Sequence, residues 1–284
     1  MRKSVQLLLS VFAALSISAY ADPVIPYAVD SSTLQLWHLN ETSGTYYNAV
    51  SGGMSMFNWG QRGTYGETSF TGLGNAWGGV PATNSNLQVT NVNWAAGGNM
   101  RGSDGAFTWE MVIRPDLAIS SGVAQRLIQN TDMHLSLTYN VSQGYVFLTY
   151  WDVRLSANPF QIRLDSLGAN AYEDGEWFHL AITYDGAGDG KVYWTALDTY
   201  TGTANQIGTF TNTGMDLYTS TTIGFGGVAN VGGTSFHGAI DEIRISDVVR
   251  GPNDFLQVVP EPATIGMLIF SIAALFGVRK FTNR

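Results

Sequence analysis

The chain has 284 residues, of which 45% are hydrophobic and 12% aromatic but only 13% charged, about half the usual ~25%. Its formal charge is −8, with lysine only at Lys3, Lys191 and Lys280, which argues against a nucleic-acid partner. There is no cysteine, so disulfides, thiolate metal sites and cysteine nucleophiles are excluded; 33 glycines beside few charges point to an all-β protein.

At the start of the chain, Arg2 and Lys3 precede an apolar run from Leu7 to Ile17. Ala19-Tyr20-Ala21 fits the small-x-small cleavage rule, with Asp22 as the first mature residue. The run is shorter than the ~20 residues of a spanning helix, so 1–21 reads as a secretory signal peptide. A short lead-in over 22–30 follows, then about 220 positions, 31–250, sized for one all-β domain. Within it, Phe107, Trp109, Met111 and Ile113 alternate onto one face of a strand. Met133, Leu135, Leu137 and Tyr139 do the same, Tyr145 to Trp151 is continuously β-prone, and Phe178, Leu180, Ile182 and Tyr184 line another strand. Asp185-Gly186-Ala187-Gly188-Asp189-Gly190 reads as a hairpin turn before a strand from Lys191 to Leu197. Thr221 to Phe225 and Ala239 to Ile245 close the series. No central segment keeps a 3.6-residue period, so the prediction is a two-sheet antiparallel sandwich.

Four stretches, in order, resemble laminin-G-like (concanavalin A-like) jelly rolls. They are Leu34 to Gly44, Phe107 to Pro115, Trp177 to Gly186 and Phe236 to Ile245, the last carrying Gly238-Ala239-Ile240-Asp241-Glu242-Ile243-Arg244. The resemblance implies two curved antiparallel sheets. The segment from Ser43 to Asp104, rich in Gly, Asn and Trp, exceeds the family spacing and is expected to form large loops or an added hairpin.

Catalytic signatures are missing from the sequence. Laminarinase-type relatives on this superfold carry a Glu-x-Asp-x-x-Glu strand, which is absent; Glu110 stands alone, and Glu173-Asp174-Gly175-Glu176 reads as a loop. His38, His134, His179 and His237 lack zinc spacing. Gly224 to Ala229 mimics a dinucleotide fingerprint without its helix, and Asp185 to Gly190 lacks calcium-loop ligands. The expectation is a non-catalytic binding protein. A saccharide site needs aromatic faces beside amides and carboxylates, and the candidates are Tyr46, Tyr47, Trp59, Trp77 and Trp94, with Trp151 and Asp152. Asn48 and Asn84 supply amides in the same region. Asp241 shares strand parity with Ile243 and Ile245, so it is expected to face the core and to need a partner. In the resembled sandwiches that Asp helps hold a structural Ca²⁺. Here Glu41 or Asn40 would complete the site, the alternatives being capped N–H groups or an arginine.

Beyond a linker over 251–258, Pro260-Glu261-Pro262 precedes an uncharged stretch over 263–278 and the basic tip Arg279-Lys280-Phe281-Thr282-Asn283-Arg284. That order resembles the PEP-CTERM sorting tail of Gram-negative bacteria, here 259–284. The resemblance implies transient insertion in the inner membrane, recognition by an exosortase-type protease, and delivery to the cell surface or extracellular matrix. Loss of both ends would remove Arg2, Lys3, Arg279, Lys280 and Arg284 against Glu261 alone, leaving a still more acidic protein. The expected partner is a polysaccharide or surface protein.

Overall fold

The computed structural model describes residues 24–258, apart from 61–62, 81–84, 118–121, 131–132, 141, 153–158, 214–220 and 228–234. The expected signal peptide with its Ala21/Asp22 junction, and the 259–284 tail with Pro260, Glu261 and Pro262, lie outside the described residues. Among the described residues no helix is long and apolar enough to cross a membrane.

The first strands in chain order are β1 (Val24–Ile25), β2 (Thr33–Trp37), β3 (Thr45–Tyr46), β4 (Met56–Trp59), β5 (Thr64–Thr68), β6 (Asn75–Gly79), β7 (Asn86–Thr90), β8 (Phe107–Pro115) and β9 (Ala124–Gln129). Then come β10 (Met133–Asn140), β11 (Tyr145–Asp152), β12 (Phe160–Arg163), β13 (Phe178–Tyr184), β14 (Asp189–Ala196), β15 (Gln206–Thr211), β16 (Thr222–Phe225), β17 (Gly238–Ser246) and β18 (Gln257–Val258). One sheet runs β12-β11-β10-β9-β16-β7-β4-β3. The other runs β15-β14-β13-β8-β17-β6-β5, with β2 also on β17, and β1 pairs β18 separately. The protein is therefore an antiparallel two-sheet sandwich, as the jelly-roll resemblance implies.

The alternation read from the sequence places the core. Phe107, Trp109, Met111 and Ile113 of β8, Phe178, Leu180, Ile182 and Tyr184 of β13, and Met133, Leu135 and Leu137 of β10 all pack in one buried cluster between the sheets. Rings reinforce it: Phe107 stacks on Trp109 at 4.4 Å and Phe178 on Trp194 at 4.4 Å. Asp185 caps its hairpin turn, its Oδ1 accepting the N–H groups of Ala187, Gly188 and Asp189 at 2.8, 2.8 and 2.9 Å. It is a turn, as expected.

The 43–104 segment departs from expectation. It supplies five strands rather than mainly loops: β3, β4 and β7 to one sheet, β5 and β6 to the other. Its glycines disguised it, because β6 contains Gly78, whose Cβ would lie 2.1 Å from Thr64 Oγ1. Close approach of a neighbouring strand, not turn formation, requires glycine there.

The lead-in and linker segments are also part of the fold. Besides the β1–β18 pair, Tyr27, Phe255 and Leu256 are buried against the outer face of the β8–β13–β17 sheet. That face carries the buried Glu110, Asp241, Glu242 and Arg244. Arg244 forks onto Glu110 at 2.8 and 3.0 Å, and Tyr27 lies over the guanidinium at 4.2 Å. His179 Nε2 lies 3.5 Å from the same carboxylate. Burial pushes the Glu110 carboxyl up, but the His179 and Arg244 contacts outweigh it and hold it below its ordinary value.

Candidate functional site

The outer face of the other sheet is partly open: Asn86, Gln88 and Ser136 near its centre are buried, while Phe57, Trp59, Gln129, His134 and Trp151 are not. In β10 and β11, residues opposite in parity to the core point outward, and β4, β7, β9 and β16 contribute similarly. Strand pairing aligns one row across the face: Thr45, Phe57, Gln88, Gly224, Gln129, His134 and Trp151. At about 4.8 Å between strands, this row is roughly 25–30 Å long. Aromatics stand toward both ends. Phe57 and Trp59 are tilted at 6.0 Å, and the His134 ring stacks on Trp151 at 5.1 Å. Farther along β11, Tyr145 meets Phe147 edge-on at 4.7 Å, and the Arg163 guanidinium lies 4.0 Å from the Tyr145 ring.

Between the aromatics the row is polar and low. Gly224 sits at its centre, where a Cβ would lie 2.4 Å from Gly227 O. Beside it, Asn86 Oδ1 and Gln88 Oε1 are buried acceptors without hydrogen-bond partners. Arg126 pairs with Ser136 in the ladder, and its Nε and Nη1 are buried donors without partners. Burial lowers the Arg126 pKa. Burial, with the Arg126 charge nearby, pushes His134 down to about 4, so this ring is neutral at pH 7. Flat ring faces can stack on sugar rings, and the Gln129 amide and Arg126 Nη2, which are not sealed from solvent, can hydrogen-bond their hydroxyls.

The sequence candidates divide. Trp59 and Trp151 are on this face, near opposite ends of the row. Tyr47 is 70% exposed and lies just beyond β3, its N–H bonded to Glu41 Oε1. Tyr46, Trp77 and Trp94 are corrected: all three are buried in the core cluster, where no saccharide reaches. Asp152 is corrected too. It follows Trp151 on one strand, so it points the opposite way, and its buried carboxylate accepts from Asn212 Nδ2 at 2.5 Å. Asn48 is spent internally, bonding Gln35 Oε1 at 2.7 Å, and Asn84 lies outside the described residues. Sequence reasoning missed Phe57, Asn86, Gln88, Arg126, Gln129 and His134. The parity of β10 carried a signal for His134, whereas β16 lying between β7 and β9 had none.

The strand parity expected for Asp241 is corrected as well. Glu242 adopts φ 48° and shifts the register of β17, so Asp241 pairs with Val112, while Ile243 returns to the core. Asp241 thus leaves the core side, yet stays fully buried on the sealed face. Its Oδ1 accepts the Glu242 N–H at 2.8 Å and its Oδ2 shares a hydrogen bond with the Ser69 hydroxyl. Burial, then the Glu242 charge, raise its pKa well above the usual carboxylate range. Asn40 Oδ1 accepts from Asn75 N and Glu41 Oε1 from Tyr47 N, so the three are engaged separately. Among the described residues no three His, Asp or Glu side chains could hold a metal ion.

A groove of about 470 Å³ lies elsewhere, beside Arg114, Asp116, Glu67 and His237. Its charged groups already have partners: Arg114 Nη2 is 3.9 Å from Glu67 Oε2, and His237 Nδ1 is 2.8 Å from the Asp116 backbone carbonyl and 3.6 Å from its carboxylate. Unlike Arg126, these groups have partners.

Sequence comparison agrees with this architecture. A family model described as the concanavalin A-like lectin/glucanases superfamily (Laminin_G_3) matches residues 81–254. The chain belongs to this superfamily. No curated protein sequence matches it. Among solved structures it is similar to the botulinum neurotoxin serotype D binding domain, at 15% identity and TM-score 0.54, covering 78% of this chain and 50% of that one. It is also similar to domain 4 of an extracellular arabinanase from Geobacillus stearothermophilus, solved with arabinotriose, at 16% identity and TM-score 0.51, covering 78% and 96%. The binding domain of Paraclostridial Mosquitocidal Protein 1 matches at 15% identity and TM-score 0.53, covering 78% and 50%. The chain spans about half the length of the toxin binding domains it matches.

Proposed function

We propose that this superfamily member is an exported, non-catalytic protein that binds an extended polysaccharide on the outer face of the β10–β11 sheet. The observation that carries the reading is the seven-position row, with aromatics toward both ends and a glycine and amides between them. The arabinotriose bound by the related arabinanase domain is compatible with it. A non-catalytic role is supported by charge placement. No described strand position on this face is Asp or Glu, and a retaining glycosidase needs two carboxyls about 5–5.5 Å apart. Glu110, the strand carboxylate that could have suggested hydrolysis, is committed to Arg244 under the chain ends. The signal peptide and PEP-CTERM-like tail place the protein, in this proposal, at the surface or matrix of a Gram-negative bacterium after exosortase processing.

Affinity electrophoresis and calorimetry against neutral and acidic polysaccharides test the reading. Trp151→Ala and Phe57→Ala should each weaken binding by on the order of tenfold, and Tyr47→Ala should not. Binding indifferent to both row variants would move the site elsewhere. No binding to any polysaccharide would favour a structural matrix protein without a defined ligand.

A further inference from the structure

The Arg126 guanidinium has no counter-ion among the described residues. Its Nε and Nη1 are buried and unbonded, whereas Nη2 is not sealed in this way. The groups placed beside it are neutral: the His134 ring, uncharged at pH 7, and Ser136, its ladder partner. By contrast, Arg244, Arg250 and Arg163 all lie within 4.0 Å of a carboxylate. A partly buried, unpaired guanidinium costs stability, and its unsealed Nη2 can meet a carboxylate.

We propose that Arg126 receives a carboxylate carried by the bound saccharide, so that the face selects an acidic glycan over its neutral counterpart. This inference rests on the glycan-binding reading above. The ligand's charge must be sparse. The protein carries a formal charge of −8, which repels a dense polyanion, while one guanidinium can neutralise one carboxylate between rings stacked on Trp151 and Phe57. The carboxylate can belong to a uronic acid or to a pyruvate ketal, and the chemistry at Arg126 is the same.

The test uses glucuronoxylan and xanthan, each beside its carboxyl-reduced form, with depyruvylated xanthan to separate the two sources. The native polymers should bind on the order of ten- to hundredfold tighter than the reduced ones. Arg126→Gln should bind both forms alike, at the level of the reduced polymer, while Trp151→Ala weakens both. Loss of preference on depyruvylation alone identifies the ketal; loss only on full reduction identifies the uronate. Without ligand, Arg126→Met should raise the melting temperature by about 2–4 °C, because a charge without a partner is removed. A preference that survives Arg126→Gln overturns the proposal. So does equal binding of native and reduced polymers by the wild type, which leaves the glycan-binding face standing. Absence of binding to all of them overturns both.

Discussion

The two sheets turn opposite outer faces to the world. One is covered by Tyr27, Tyr200, Phe255 and Leu256, and beneath them its carboxyl groups are paired: Glu110 with Arg244, Glu242 with His38, Asp241 with Ser69. The other is open, with Phe57, Trp59, Phe147 and Trp151 only partly covered and Arg126 unpaired. Both contain charged and aromatic residues on strands, so composition does not separate them. What separates them is whether the charged groups are answered from within the chain, for on the sealed face too the Tyr27 hydroxyl and the His179 ring nitrogens lack hydrogen bonds. An answered charge holds the fold; an unanswered one is available to a ligand.

The sharpest way to break this comparison is to cut the sealed pair. Arg244→Ala takes away the bidentate partner of the buried Glu110, leaving only the longer contacts to His179 and Arg250 at 3.5 and 3.7 Å, and should cost about 3 kcal/mol, measured by denaturant unfolding. Replacing both at once, Glu110→Leu with Arg244→Met, should cost far less, because no lone charge remains. If the single and double variants are equally destabilised, packing under the chain ends matters more than the charges. On the open face, Trp151→Ala should change stability by no more than about 0.5 kcal/mol while weakening saccharide binding. Equal losses in stability and affinity would make that ring a part of the core rather than of a site.

A smaller effect belongs to Asp241. As an acid with a raised pKa, it costs the fold nothing while both states are protonated. Stability then falls as pH rises above the ordinary carboxylate pKa near 3.8, where the unfolded chain ionises first. Asp241→Asn keeps both hydrogen bonds, so it should raise the melting temperature at neutral pH and flatten this part of the profile. Chelator should leave the melting temperature of the wild type unchanged. A calcium-dependent shift abolished by Asp241→Asn would restore the metal reading.

The sequence showed the sheets better than the sites. Strands such as β8, β10 and β13 were legible because apolar residues alternate along them, and that periodicity is local. The same rule already separated Trp151 from Asp152, since neighbours on a strand face opposite sides. Asp241 was misplaced because the bulge sits at Glu242, a residue type that gives no warning of positive φ. Tyr46, Trp77 and Trp94 look as suited to stacking as Trp59 does. Whether a ring is covered depends on strands distant in sequence. The row from Phe57 to Trp151 needed the sheet order, with β16 between β7 and β9, and no nearby residue encodes it.

The smallest predicted effect tests how the residues just after β1 and β2 are tied to β17. His38 Nδ1 lies 2.7 Å from Glu242 Oε1, and Glu242 Oε2 accepts the Tyr27 N–H at 2.9 Å. The hydrogen bond to Glu242 raises the His38 pKa; burial works against it, and the charges of Glu242 and Glu41 add to it. Since the folded-state pKa lies above 6.5, the pair's full contribution is present below pH 6.5. It is lost as pH rises through the folded value. The His38 side chain is 33% exposed, so solvent limits the gain to about 1 kcal/mol or less. Melting curves from pH 6 to 9 should show the wild type declining more steeply than His38→Gln, with the two meeting at the alkaline end. A wild-type curve as flat as the variant's would mean that Glu242 is held by the Tyr27 N–H alone.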